Sequence, residues 1–414
     1  DSGTHANYRR MAPGTPSSSR DHHPDENSHK LLDAVHLEEH VKEAGTKWMK
    51  VFDAPDKTDT CKSHLIDFST ETIEQLVVHI HEGNQRARAG ATKALRNLAA
   101  SNEANQGAIA AAGAFEPLVA QLKLGSAQLK EAVAGALSNL ASNYADNQVA
   151  IANAGAIEPL VDLLNSKSPG AQKAAAGALS NLAANEDNQV AICGAAGCLK
   201  SLVHLVRRGN AGVQAAAAGC LVNLAANDAN QVAITDADAV EPLTNLLGGG
   251  SAVYLAYLQT AAASALRNLA YKNIHNQVAI AQSGAIDPLV ALLDSSSPQV
   301  KVVAAAALRN LSENNNDNQE FIARAREGSG VKALLAMVKS DSEEAREEAQ
   351  GALQNLATNN AIDPLVAMGA KPFTKYDSAH LDWGEDTFNR NVPGPDNDPY
   401  DPYDDLNPDV RPDT

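Results

Sequence analysis

The sequence predicts an all-α solenoid, a row of about seven copies of one helical unit. Of its 414 residues, 44% are hydrophobic but only 4% are aromatic, so the apolar side chains are mainly Ala, Leu, Val and Ile. Two short motifs also recur with one period along most of the chain. Small apolar side chains and a fixed period of this length are typical of stacked helical repeats.

The period is carried by two independent markers. The dipeptide Asn-Gln begins at residues 105, 147, 188, 230, 276 and 318, with spacings of 42, 41, 42, 46 and 42. The tetrapeptide Leu-x-Asn-Leu recurs with spacings of 42, 42, 42, 45, 42 and 45. Its asparagines are Asn97, Asn139, Asn181, Asn223, Asn268, Asn310 and Asn355. Two markers that keep one period over this length indicate a repeat architecture.

Each unit divides into three predicted helices, as residues 147–187 illustrate. A short first helix over 147–153 ends before Gly155, because glycine readily adopts the left-handed conformation that follows a helix. Pro159 lies in the first turn of a second helix, where a missing N–H is not needed. After a polar break at 166–170, a third helix over 171–184 is apolar almost all round, which predicts burial on most sides.

This unit resembles the armadillo repeat. The strings that carry the resemblance are Asn147-Gln148-Val149-Ala150-Ile151, Gly155-Ala156-Ile157, Pro159-Leu160-Val161, Leu163-Leu164 and Gly177-Ala178-Leu179-Ser180-Asn181-Leu182. Similar strings cover about 71–370. The resemblance implies a right-handed α-solenoid of about seven armadillo repeats with extended N- and C-terminal arms.

Four segments are expected on this basis. Residues 1–30 are polar and form a flexible arm, and residues 31–70 form an N-terminal helical capping segment. The armadillo-repeat solenoid occupies 71–370, and an acidic, Pro-rich extended tail occupies 371–414. Atypical end units are expected because a solenoid must cover its exposed core at both ends.

In armadillo proteins the third helices line a concave groove that binds peptide segments, so the resemblance implies a role for the seven asparagines. Their amides would hydrogen-bond the backbone of a partner. The alternative is that each asparagine bridges neighbouring helices inside the solenoid. Arg96, Arg267 and Arg309 stand just before three of the asparagines, and they either pair with partner carboxylates or lie solvated on the helix flank.

The nuclear-import adaptors of this family carry Trp four residues before the groove asparagine. Here those positions hold only Lys, Gly, Ser or Ala: Lys93, Gly135, Gly177, Gly219, Ser264, Ala306 and Gly351. The chain therefore resembles the catenin and vacuolar-adaptor type more closely. Small residues at these positions are expected to let a partner backbone or helix approach.

The unit between Asn223 and Asn268 is longer than its neighbours. Gly248–Gly250, followed by Tyr254 and Tyr257, lies where other units have a tight turn. The insertion is either a tolerated loop or an extra contact surface built on the two tyrosines.

Charge and composition exclude several partners. The net charge of −17 disfavours nucleic acid and anionic membranes, which need a basic footprint. The sequence has no run of 18 apolar residues, so no transmembrane segment is expected. No catalytic residue, cofactor or metal site is expected, because no Ser-His-Asp arrangement or phosphate-binding loop stands out.

One catalytic motif does occur, at residues 36–40. His36 and His40 flank Glu39 in the His-x-x-Glu-His arrangement of a zinc-protease class. A protease domain needs a further ligand and far more sequence around it, so a short amphipathic helix over 31–51 is the favoured interpretation. Cys193, Cys198 and Cys220 replace alanines of sibling units and are interpreted as buried packing residues.

The tail is the most acidic segment. Residues 371–414 contain 11 acidic and 4 basic residues, and thus carry −7. Trp383, Phe388, Tyr400 and Tyr403 are possible anchors along it. The tail either only solubilises the chain or clamps a neighbouring protein.

The sequence therefore predicts a non-enzymatic scaffold or linker subunit that binds other proteins in its groove and through its tails. The first alternative is a soluble adaptor that binds one cargo peptide, with the tail as an internal competitor. A zinc-dependent enzyme is a remote second alternative. The family resemblance implies an intracellular, cytoplasmic location, and a start at Asp1 leaves an organelle after transit-peptide removal open.

Overall fold

The computed structural model describes residues 72–249 and 254–358, and every element in these ranges is helical. Twenty α-helices follow in a repeating order of first, second and third helix, starting with a second helix. The first helices are α3 (Glu103–Ala111), α6 (Ala145–Asn153), α9 (Glu186–Gly194), α12 (Asp228–Asp236), α15 (Ile274–Gln282) and α18 (Asn316–Arg324). The second helices are α1 (Ile73–Glu82), α4 (Phe115–Leu124), α7 (Ile157–Leu164), α10 (Cys198–Arg208), α13 (Val240–Gly248), α16 (Ile286–Leu292) and α19 (Ser329–Met337). The third helices are α2 (Gln85–Ala99), α5 (Ala127–Ala141), α8 (Pro169–Leu182), α11 (Ala211–Ala225), α14 (Leu255–Ala270), α17 (Pro298–Ser312) and α20 (Glu343–Thr358).

The three-helix unit predicted from the sequence is confirmed, with three boundaries shifted by two residues: the first helix begins at Ala145, and the third helix spans Pro169–Leu182. The third helix of the illustrated unit begins at Pro169 and not at Ala171. The reason is local: the Ser168 hydroxyl accepts a hydrogen bond of 3.2 Å from the Ala171 backbone N–H, which caps the helix. Pro169 then takes the first helical position, where proline is pre-organised for the helix.

The core is a continuous layer of small apolar side chains between stacked third helices. Each third helix packs on the third helix before and after it, and the first helices stack on one another in a second row. In α11, Ala215, Ala217, Ala218 and Cys220 are at most 1% exposed. Side chains of this size let the helices approach closely, which explains why the chain builds a large core with few aromatic residues.

The turn between a third helix and the next first helix occurs in two forms. In four units it contains a residue with positive φ: Ser101, Asn143, Lys272 and Asn314. In the units of α8 and α11 the segment from the Leu-x-Asn-Leu asparagine to the start of the next first helix is one residue shorter, and the capping residues Asn185 and Asn227 have φ of −93° and −91°. The difference accounts for part of the uneven spacing between the two sequence markers.

The turn between first and second helices requires a left-handed residue. Glycine fills this position at Gly113, Gly155, Gly197, Gly284 and Gly328, with φ between 72° and 79°. One unit places Asp238 there instead, with φ of 61°. A side chain in this conformation crowds the following carbonyl, so Asp238 carries local backbone strain that its siblings avoid.

The long unit places both of its tyrosines against the solenoid. Tyr254 and Tyr257 are half-buried and pack on the core. The hydroxyl of Tyr257 lies 3.5 Å from where a methyl group on Gly219 would stand, so this side chain reaches back over α11. Residues 250–253 lie outside the described residues, and the tyrosines contribute packing between units.

Within residues 72–249 and 254–358, no single helix is both long and apolar enough to cross a membrane. One consecutive pair, α9 and α10, reaches that length only together, and it is bent by 86°.

Candidate functional site

The seven Leu-x-Asn-Leu asparagines, here called the asparagine ladder, lie half-buried along the stacked third helices. Six of them donate from Nδ2 to a backbone carbonyl of the preceding third helix, at 2.8–3.0 Å. The acceptors are Arg96, Ser138, Ser180, Val222, Arg267 and Arg309, each directly before a ladder asparagine. The ladder therefore bridges neighbouring repeats. This bridge is the second of the two roles that the sequence analysis considered for these asparagines.

This bridge fixes the direction of each amide. A backbone carbonyl can only accept, so the nitrogen side of the amide must face it. The Oδ1 atom then points away from the bridge, and in these six asparagines it accepts no hydrogen bond from the described residues. One carbonyl acceptor per repeat is thereby held in a fixed orientation on a half-exposed surface. Binding of a partner backbone by this ladder stays a prediction.

Asn97 begins the ladder and differs from the other six. Its buried Nδ2 has no hydrogen-bond partner among the residues that the structure describes. The carbonyl that it would need belongs, by the repeat period, to a residue before the described range. A buried donor without a partner is unfavourable, so this end of the row of third helices is incomplete within the described residues.

The Asn-Gln marker has a purely structural role. In every unit its asparagine is buried and donates to the carbonyl of the leucine that follows the ladder asparagine. Asn188, for example, donates to Leu182 and to Gln148 of the preceding unit, both at 3.0 Å. The last carbonyls of a helix have no intrahelical partner, so the marker caps the first six third helices and ties neighbouring units together.

Two of the three arginines before the ladder, Arg267 and Arg309, pair within the chain, whereas Arg96 lies against Gly135. Arg309 Nη1 lies 3.2 Å from Oε2 of Glu348, and Arg267 Nη2 lies 3.8 Å from Oε1 of the same carboxylate. Glu348 is only 7% exposed, so one buried carboxylate of α20 joins arginines of two earlier repeats. A partner carboxylate would have to compete with Glu348 for these two side chains. Sequence reasoning missed Glu348, although it stands where all other units have Gly, Ala or Val.

The positions that lack Trp are filled from within the chain at three points. A methyl group on Gly135 would lie 3.1 Å from Nε of Arg96, and one on Gly351 would lie 2.5 Å from Nε of Arg309. Tyr257 covers Gly219 in the same way. At these three glycines a partner would have to displace or pack against the chain's own side chains, and the expected close approach of a partner at the seven positions stays a prediction.

The three cysteines of one unit behave as packing residues. Cys198 and Cys220 are buried and Cys193 is half-buried, and all three are free thiols. Burial, and then the proximity of Cys193, raise the pKa of Cys198 to about 12. Burial likewise raises the pKa of Cys220 well above its ordinary value. Thiols that resist ionisation are poor nucleophiles and poor metal ligands, which agrees with the interpretation from sequence.

Several predicted residues lie outside the described residues. These are His36, Glu39 and His40 of the zinc motif, and Trp383, Phe388, Tyr400 and Tyr403 of the tail. Among the residues that the structure does describe, no group of three or more His, Cys, Asp or Glu side chains is placed to hold a metal ion.

These features define a class: an α-solenoid repeat protein whose third helices present an ordered row of asparagines. The family model of armadillo/beta-catenin-like repeats matches residues 102–142, 145–184 and 273–313. An engineered protein of the Northeast Structural Genomics Consortium has a similar fold, with a TM-score of 0.68, 31% identity, and coverage of 80% of this chain and 78% of that one. No curated protein matches the chain.

Designed armadillo repeat proteins have a similar fold as well. Computationally designed armadillo repeat proteins for modular peptide recognition share 30% identity over 58% of this chain and 99% of theirs, with a TM-score of 0.53. A designed armadillo repeat protein in complex with the peptide (KR)4 shares 27% identity over 58% of this chain and all of its own, with a TM-score of 0.54. The chain belongs to the armadillo-repeat family, whose repeats generally bind proteins or peptides.

Proposed function

We propose that this protein is a non-enzymatic scaffold or linker subunit that binds segments of partner proteins along its third helices and through its tails. The observation that carries the proposal is the orientation of the asparagine ladder. Because each bridging Nδ2 faces the preceding helix, its Oδ1 faces away from that helix. Each repeat thus offers one acceptor. Such a row is suited to the N–H groups of an extended backbone, which are obligatory donors.

The charges along the same surface favour one kind of segment. The first described third helix, α2, carries Arg86, Lys93 and Arg96, whereas the last one, α20, carries Glu343, Glu344 and Glu347. A partner segment with its acidic residues over α2 is therefore favoured over a uniformly basic peptide. The (KR)4 peptide in the complex of the designed relative is uniformly basic, and so has the opposite charge to the segment favoured over α2.

A matched pair of substitutions tests the role of the ladder. Asn181→Ala removes one Oδ1 and one bridge, and Asn188→Ala removes a buried structural amide and no ladder oxygen. Proteins that co-purify with each full-length variant are identified by mass spectrometry after confirming that both fold. The proposal expects partners to be lost from the Asn181 variant and kept by the Asn188 variant. Equal partner sets for both variants would contradict it.

The adaptor alternative differs in the role of the acidic tail. Residues 371–414 carry −7 and have the charge that suits the basic surface of α2. If the tail is an internal competitor, a synthetic peptide of residues 371–414 binds to a chain ending at 370, and Arg96→Glu abolishes that binding. If the tail clamps neighbouring subunits, the peptide does not bind, and the truncated chain loses partners that the full chain retains.

A further inference from the structure

The exposed apolar side chains of this protein are concentrated on one row of helices. Of the eight most exposed large apolar side chains among the described residues, six lie on first helices: Val149, Val190, Val232, Ile274, Val278 and Phe321. The first helices stack directly on one another, so these side chains follow one another along a single face. This face is separate from the asparagine ladder, which belongs to the third helices.

Three of these side chains, one on each of α6, α9 and α12, are here called the valine row. Val149, Val190 and Val232 each stand directly after the Asn-Gln pair of α6, α9 and α12, and are 41%, 52% and 44% exposed. The buried pair orients the helix, so the next residue necessarily faces outward. Four units in succession thus present valine at the same outward position, since Val278 on α15 also follows its Asn-Gln pair, and the valine row comprises the first three.

Folding gives no reason for valine at these positions. A β-branched residue loses rotamer freedom in a helix, and an exposed valine is less favourable there than Ala, Glu or Gln. Single exposed apolar residues are ordinary, but a contiguous row of them marks an interaction surface. The recurrence therefore indicates that the row is covered by something.

The charges next to the valine row indicate which kind of partner would bind there. The first turns of the same three helices carry exposed acidic side chains: Asp146, Glu186, Asp187 and Asp228. The basic groups on neighbouring first-helix elements, Lys272 and Arg324, lie beyond α12. A partner with an apolar face and basic flanks would match both features. A second copy is disfavoured by the net charge of −17, and an anionic membrane by the acidic border.

We propose that the valine row is a second binding surface, which takes a basic amphipathic helix of a partner protein across α6, α9 and α12. Adjacent helices pack about 8–10 Å apart, so three of them span roughly 20 Å. A helix of about 18 residues is some 27 Å long and covers that span. This surface works independently of the third helices and would let the protein hold two partners at once.

The test uses a synthetic, fluorescently labelled helix of about 18 residues, with leucines on one face and lysines elsewhere. Its binding to the full chain is measured by fluorescence anisotropy at physiological salt. The probe is compared with an isomer of the same composition whose leucines are scattered. The proposal expects the amphipathic isomer to bind roughly tenfold more tightly than the scattered one. Equal affinities would show charge attraction alone and overturn it.

Two matched sets of substitutions locate the binding. Combined Val149→Gln, Val190→Gln and Val232→Gln removes the row and improves helix propensity, so the variant is expected to melt no lower than the wild type. Val78→Gln with Leu124→Gln removes two equally or more exposed side chains, at 51% and 84%, from second helices. The probe is expected to lose roughly tenfold in affinity for the first variant and none for the second. Unchanged affinity for the row variant, or an equal loss in both, overturns the proposal.

Separate experiments determine where the probe binds and whether something other than a partner helix covers the valine row. A photoreactive group on a leucine of the probe should cross-link to α6, α9 or α12. Cross-links to the third helices would place the probe on the ladder instead, and would overturn this proposal without touching the proposed function. Two other outcomes would equally overturn the proposal. If the chain alone self-associates in sedimentation experiments and the row variant does not, the occupant is a second copy. If the chain binds neutral phosphatidylcholine vesicles and the row variant does not, the occupant is a lipid surface.

Discussion

The side-chain amide nitrogen of Asn181 donates a 2.9 Å hydrogen bond to the backbone carbonyl of Ser138, which lies 43 residues earlier on the preceding third helix. The same contact recurs at each later position of the ladder. One side chain per repeat thus connects two units and also presents an acceptor on the surface. The sequence left these two roles as alternatives, and the geometry makes them compatible.

The ladder bond makes a specific prediction about stability. Asn181→Ala is expected to lower the free energy of unfolding by about 1 kcal/mol, and Asn181→Asp by about 2 kcal/mol, because a carboxylate cannot donate to the Ser138 carbonyl. Urea denaturation followed by circular dichroism measures both changes.

Asn97 supplies the control for this prediction. Its buried Nδ2 has no partner within residues 72–249 and 254–358, so Asn97→Ala breaks no ladder bond there and is expected to change the free energy of unfolding by less than about 0.5 kcal/mol. Equal losses for Asn97 and Asn181 would show that the bridge does not account for the effect.

The shared carboxylate on α20 gives a second prediction. Glu348→Ala removes the buried carboxylate that Arg267 and Arg309 share, but both arginine side chains are about one-third exposed, so the free energy of unfolding is expected to fall by about 1–2 kcal/mol. Glu348→Gln keeps an acceptor for Arg309 and is expected to cost less. Thermal unfolding and amide exchange of α17 and α20 report the difference.

An exposed ion pair of the same length provides the comparison. Glu320 and Arg324 are 3.2 Å apart, but their side chains are 53% and 80% exposed. Glu320→Ala is expected to cost less than about 0.5 kcal/mol, because water screens the pair. If both glutamates prove equally dispensable, burial of Glu348 contributes nothing.

The left-handed aspartate predicts a stabilising substitution. Asp238 occupies a position that other units fill with glycine, so Asp238→Gly is expected to raise the free energy of unfolding by about 0.5 kcal/mol. The reverse change at the equivalent position, Gly155→Asp, is expected to lower it by at least as much. Differential scanning calorimetry of both variants checks the sign, and a loss in the Asp238 variant would refute the strain argument.

The buried thiols predict a loss of stability at alkaline pH. The pKa of Cys198 rises from 9.0 to about 12 in the folded chain, because burial disfavours the thiolate. Above pH 9 the unfolded chain releases this proton while the native chain retains it, so unfolding becomes easier by up to about 1.4 kcal/mol per pH unit until the native thiol ionises near 12.

Melting temperatures between pH 7 and 10 test this linkage, with Cys198→Ala as the reference. The wild type should lose stability more steeply than the variant above pH 9. Parallel curves for the two proteins would mean that other groups cause the alkaline loss.

Periodicity predicted the equivalent positions well, but not the atoms that meet between units. The Leu-x-Asn-Leu spacing located all seven third helices and placed the asparagines on one surface. It could not show that Nδ2 of Asn139 faces the carbonyl of Arg96, because that depends on how two helices stack. The pairing of Arg267 with Glu348 was missed for the same reason, since it joins third helices two repeats apart. The departure of Glu348 from the small residues of its siblings was the available signal.

The short turns after α8 and α11 have a practical consequence for anyone who would cut and rejoin this protein. The units look interchangeable by sequence, but two turn geometries set where each first helix starts relative to the helix before it. In long-turn units, Gln106, Gln231 and Gln277 each also donate to a carbonyl near the end of the third helix of their own unit, at Asn139, Asn268 and Asn310, whereas Gln148 and Gln189 donate only to the end of the preceding third helix. Deleting or duplicating a unit is therefore expected to succeed only when the two joined ends come from turns of the same length. A unit can therefore be exchanged only together with its turn type. The two units that end in α8 and α11 share the short turn and would be exchanged as a pair.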